Sequence, residues 1–145
     1  MDLIEEFLSP KQEQQIIEAI RQAELSSSGE IRIHIENQCN GVPYDRAREI
    51  FSLLGMDRTQ LKNGVLIYVA VSDHCFAICG DTGINALVPD HFWDDIKEII
   101  QISFSSGEYS DGLTEAVLKI GEQLKSHFPW DSNDTNELPD FISRS

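Results

Sequence analysis

The chain has 145 residues, the length of one domain with one core, and an apolar fraction of 41% supplies the side chains to fill it. Its 25 carboxylates against 11 Lys and Arg give a formal charge of −14. Such a surface repels nucleic-acid phosphates and anionic lipid, so neither nucleic acid nor a membrane is expected as a partner, and it attracts cations.

Ser9-Pro10-Lys11-Gln12 reads as a helix start, with Ser at the N-cap, Pro at the first helical position and Gln three residues after the cap. Ile16, Ile17, Ile20 and Ala23 mark its apolar face up to the break at Ser26-Ser27-Ser28-Gly29. Residues 30–36 alternate strictly, Ile31, Ile33 and Ile35 against Glu30, Arg32, His34 and Glu36, which predicts a half-buried strand with a solvated polar face. Asn40-Gly41-Val42-Pro43 is a loop, residues 44–54 are helical, and residues 64–71 form an apolar, β-branched central strand. Ser72-Asp73 turns the chain into a third strand over residues 74–80, which makes a hairpin.

A loop over residues 81–89 leads to a helix over residues 90–104 with Trp93, Ile96, Ile100 and Phe104 inward. A last helix, capped by Ser110, carries Leu113, Val117, Ile120 and Leu124. The domain is expected to end at residue 128, with residues 129–145 as a mobile acidic tail. A helical crossover makes the first two strands parallel. The fold class is therefore α/β, a three-layer α/β/α sandwich around a mixed sheet.

Cys39, Cys75 and Cys79 lack a disulfide-framework spacing and read as free thiols, and the N-terminus has neither a basic segment nor an apolar run. With no apolar stretch near the ~20 residues that span a bilayer, a cytoplasmic location is expected.

The hairpin pairs residue 71 with 74 and so, at the far end, residue 64 with 81. Segments 57–63 and 81–95 and the start of the first strand then meet at one rim of the sheet. That rim gathers Glu30, Asp57, Asn63, Asp81, Asn85, Asp90, Asp94 and Asp95. Oxygen donors on loops suit hard cations such as Ca²⁺ and Mg²⁺, which relieve the repulsion among carboxylates. The alternative reading makes Asp90 a helix N-cap and Asp94 and Asp95 first-turn residues favoured by the helix dipole.

Other motifs carry less. Asp131-Ser132-Asn133-Asp134-Thr135 opens like an EF-hand loop but has Asn136 where Gly is needed and Ile142 where Glu is needed. The sequence has no P-loop, Rossmann glycine fingerprint or Gly-x-Ser-x-Gly elbow.

Four segments in order resemble the TPM domain, a family that includes a thylakoid lumen acid phosphatase. They are Ala23-Glu24 through Ser28-Gly29-Glu30-Ile31-Arg32-Ile33; Lys62-Asn63-Gly64-Val65-Leu66-Ile67-Tyr68-Val69; Gly80-Asp81-Thr82-Gly83-Ile84; and Gly107-Glu108-Tyr109-Ser110-Asp111-Gly112-Leu113. The resemblance implies the α/β/α sandwich and divalent-cation sites in acidic loops. Among the candidates, Asp81, Glu30 and Asn63 stand in the matched motifs.

Many members are exported or membrane-anchored, whereas this chain resembles a stand-alone branch. The expectation is a Ca²⁺- or Mg²⁺-binding, metal-responsive module that contacts an unidentified protein partner. The alternatives are a metal-assisted acid phosphatase and an assembly factor with a structural metal.

Overall fold

The computed structural model describes residues 6–129 and 142–144. The elements follow in chain order as α1 (Pro10–Ser26), β1 (Glu30–Glu36), α2 (Pro43–Leu53), a 3₁₀ turn (Met56–Arg58), β2 (Gly64–Ala70), β3 (Cys75–Gly80), α3 (Thr82–Asn85), α4 (Phe92–Ser105), α5 (Tyr109–His127) and β4 (Ile142–Arg144). The α1 start is a full capping box: Ser9 Oγ accepts from Gln12 N–H at 3.2 Å, and Ser9 N–H donates to Gln12 Oε1 at 2.9 Å.

The sheet order is β3-β2-β1-β4. β1 runs parallel to β2 from Glu30↔Gly64 to Glu36↔Ala70, and β2 runs antiparallel to β3 from Val65↔Gly80 to Ala70↔Cys75. This is the register expected from the Ser72-Asp73 turn. His74, with φ 54°, is one of the residues that close it.

One face of the sheet carries Ile31, Ile33, Ile35, Val65, Ile67, Val69 and Ile78, covered by α1, α4 and α5. α1 and α5 approach so closely at Gly121 that a Cβ there would meet Ala23 Cβ at 2.8 Å. The opposite face carries Leu66, Tyr68, Ala70, Ala77 and Cys79 under Ala47, Ile50 and Phe51 of α2. The molecule is thus an α/β/α sandwich.

Four details depart from the sequence reading. The polar face of β1 is not solvated, since all seven residues of the strand are buried. The loop after β3 contains the short helix α3, because Asp81 caps it at Thr82 N–H. His91, not Asp90, is the N-cap of α4, and Glu108, not Ser110, that of α5. Ile142-Ser143-Arg144, expected in the tail, forms β4 parallel to β1 (Ile33↔Ile142, His34↔Ser143, Ile35↔Arg144). The motif at residues 131–135 lies outside the described residues.

Candidate functional site

The rim predicted from the hairpin register is formed. Asp81 N–H donates to Gly64 O at 2.9 Å, Ile84 N–H to Lys62 O at 3.2 Å, and Glu30 N–H to Asn63 O at 3.4 Å. The 81–85 turn and the 59–64 connector are therefore laced together by main-chain bonds. Gly83 is at their closest approach.

The eight candidates divide there. Asp81 is half-buried. Its Oδ1 accepts from Thr82 N–H at 2.7 Å, while its Oδ2 is buried with no hydrogen-bond partner among the described residues. Thr59, in the facing connector, is 2% exposed, and its Oγ1 likewise has none. A buried oxygen left without a donor costs on the order of 1–3 kcal/mol, so two at one rim call for a physical explanation. Asn63 is buried and donates to Ser28 Oγ at 3.4 Å. Asp57 is exposed on the 3₁₀ turn, where Lys62 Nζ donates to its carbonyl oxygen. That ammonium is a cation at the rim itself.

The other four serve elsewhere. Glu30 is 2% exposed at the start of β1, where its charge acts on Arg32. Asn85 Nδ2 donates to Gly80 O at 2.7 Å and its Oδ1 accepts from Trp93 Nε1 at 3.0 Å, so its amide braces the turn. Asp90 lines a cavity of about 370 Å³ with Tyr44 and Trp93. Asp95 lines another, of about 460 Å³, with Ile102 and Lys119, and its carboxylate lies 3.9 Å from His91. Asp94 is an exposed first-turn residue of α4, as the dipole reading has it. Among the described residues, no three His, Cys, Asp or Glu side chains stand together as a metal-binding group.

The residues that sequence reading missed are on the buried polar face of β1. Glu36 receives Arg46 through two bonds, Nε at 2.9 Å and Nη2 at 2.8 Å, and the Tyr68 hydroxyl through a third. Arg46 also donates to Glu49. The bond to Glu36 raises the Arg46 pKa above its ordinary value, and burial raises that of Tyr68. Burial pulls Arg32 down, against Glu24 and Glu30, while Glu24 accepts Ile31 N–H at 3.0 Å. His34 and Glu36 at alternate positions were the visible signal. Nothing local said that Arg46 of α2 would reach Glu36.

His34 is 3% exposed, its Nδ1 2.8 Å from Ser143 Oγ and its Nε2 4.0 Å from Glu36 Oε1. Burial lowers its pKa below the ordinary 6.5, with Glu36 opposing and Arg46 and Arg32 reinforcing. The unfolded chain therefore takes up this proton at higher pH than the folded one. The contribution to stability is full above the ordinary value and is lost as pH falls below it. His34→Asn should flatten the decline in unfolding free energy between about pH 7 and 5, measured by urea melts at each pH. An unchanged slope would remove His34 from the account.

Comparison with known proteins places this architecture. The family model described as the TPM domain matches residues 4–123. The NMR structure of BA42 protein from the psychrophilic bacterium Bizionia argentinensis has 48% sequence identity, covers 98% of each chain and has a TM-score of 0.90. The N-terminal domain of a protein from P. gingivalis has 23% identity over 86% of this chain and 83% of its own, with a TM-score of 0.66. That of the cg2496 protein from Corynebacterium glutamicum has 15% identity over 90% and 81%, with a TM-score of 0.67. These last two share the fold. No curated protein sequence matches. With nearly its whole sandwich inside the matched range, the chain belongs to the TPM domain family.

Proposed function

We propose that this domain binds a divalent cation, Ca²⁺ or Mg²⁺, where the 59–64 connector meets the 81–85 turn, and acts as a metal-responsive binding module. The observation that carries the reading is the second carboxylate oxygen of Asp81, buried without a donor while the first is committed to Thr82 N–H. A hard cation accepts carboxylate, hydroxyl and carbonyl oxygens alike. Asp81 would supply the charge, and Thr59 Oγ1 and connector carbonyls neutral donors.

Asp57, Glu30 and Asn63 flank this rim, and Asp90, Asp94 and Asp95 add to the negative field that draws the ion in. Asn85 keeps the turn in shape. A bound ion would neutralise Asp81 and tie the two segments together, a difference that a protein partner can read. The three free thiols suit a reducing, cytoplasmic setting. The chain has no described helix long and apolar enough to cross a membrane.

The phosphomonoesterase reading has less support. Its metal-activated water would need cations to clamp the phosphate, and Lys62 is held by the Asp57 carbonyl while Arg46 is held by Glu36 and Glu49. Calorimetric titration with Ca²⁺ and Mg²⁺ tests the module. Asp81→Asn keeps an N-cap oxygen but loses the charge, and should weaken binding at least about tenfold with little change in the metal-free melting temperature. Unchanged affinity in that variant would sink the site. Hydrolysis of an aryl phosphate by wild type, abolished by the same change, would favour the enzyme.

A further inference from the structure

We propose that the side of β1 away from β2 is an acceptor for an extended segment of a partner protein with the pattern apolar–hydroxyl–basic, occupied in the resting chain by its own Ile142-Ser143-Arg144. Three successive residues of β4 are each recognised by a different chemistry. Ile142, 6% exposed, enters the apolar cluster under α1, α4 and α5. Ser143, on the opposite face, meets His34 Nδ1 at 2.8 Å and donates to Ile33 O at 3.3 Å. Arg144 Nη1 lies 2.7 Å from Glu13 Oε1 on α1. Alternate side-chain pockets beside a strand that offers its main chain are the arrangement by which domains capture extended peptides.

The native occupant is built to leave. β4 is three residues long, with three register pairs to β1, against seven between β1 and β2. So short a pairing opens at the low end of local stability. Pro129 bridges to Ser27 and Ile142 lies beside Ile33, so the two fixed points of this segment are separated by twelve residues of sequence, 130–141. Departure would leave β1 as an edge strand with unpaired main-chain groups. A charge of −14 favours a basic segment over an acidic one. The tethered tail holds a high effective concentration at the groove, so a free peptide competes well only once the tail is expelled.

The test uses the full chain with its tail expelled, Ile142→Asp with Arg144→Glu, and a synthetic peptide of the native sequence of residues 138–145. Amide shifts of residues 33–35 should saturate, with affinity about tenfold or more above that of wild type. A peptide with Glu in place of its Arg should bind at least about tenfold more weakly, and Glu13→Arg should reverse that preference. No saturable shift in β1, or equal affinity for the two peptides, overturns the proposal. Concentration-dependent dimers of wild type held by β4 would also overturn it, in favour of exchange between copies. Hydrogen exchange of the wild type provides a second reading that needs no variant. Amides of residues 142–144 should exchange at least about 100-fold faster than those of β2, and equal protection would contradict a displaceable strand.

Discussion

Gly83→Ala is expected to destabilise the domain by about 3 kcal/mol and lower its melting temperature by roughly 10 °C. A Cβ at this position would lie 2.1 Å from Leu61 O, 2.5 Å from Lys62 O and 2.9 Å from Lys62 C. These are main-chain atoms, and the connector that carries them is tied to the turn by the Ile84 N–H to Lys62 O bond. No rotamer change relieves the overlap, so the two segments must separate. Cation affinity should fall with stability, because the displaced carbonyls belong to the proposed donor set. Thr82→Ala next door removes an exposed side chain and should stay within about 0.5 kcal/mol of wild type. Urea unfolding without metal, followed by titration, separates the two effects. A Gly83→Ala protein as stable as wild type would show that connector and turn are not held in contact.

The second large effect is expected at Glu36. Glu36→Ala leaves the Tyr68 hydroxyl buried without its acceptor, takes both bonds from Arg46, and removes the carboxylate facing His34 Nε2. Removing one partner of a buried charge pair costs about 3–5 kcal/mol, and the lower end applies because the Arg46 side chain is 29% exposed. Tyr68→Phe deletes one bond and leaves the carboxylate held by Arg46, so it should cost about 1 kcal/mol. The contrast between these variants in chemical melts distinguishes a connected network from independent contacts. Equal losses would mean that Glu36 matters through packing alone.

The fold was legible where a local pattern met a geometric constraint. The β-branched run to Ala70 and the turn after it set the hairpin register, and the helical crossover set β1 parallel to β2. Alternation along β1 revealed two faces but not what covers the second. α2 reaches it through Arg46 at Glu36, while its narrow stripe of Ala47, Ile50 and Phe51 packs over β2 and β3, too small an apolar surface to announce a buried partner. β4 was illegible because three residues carry no period.

The meeting of segments 57–63 and 81–85 followed from the register alone. Sequence could not show that Asn85 would spend its amide on Gly80 and Trp93, or that Asp95 would line the α4–α5 groove. Side-chain direction at a loop depends on packing that the chain settles only in three dimensions. Asp81 is the candidate whose chemistry survived that step with an oxygen to spare.

Substoichiometric Mn²⁺, a paramagnetic stand-in for Mg²⁺, tests that assignment most directly through the amide spectrum. Signals of residues 61–64 and 81–84 should broaden first, and Asp81→Asn should restore them. Broadening that begins around residues 90–95 or 36–49, and persists in the Asp81→Asn protein, would place the ion elsewhere and contradict the site.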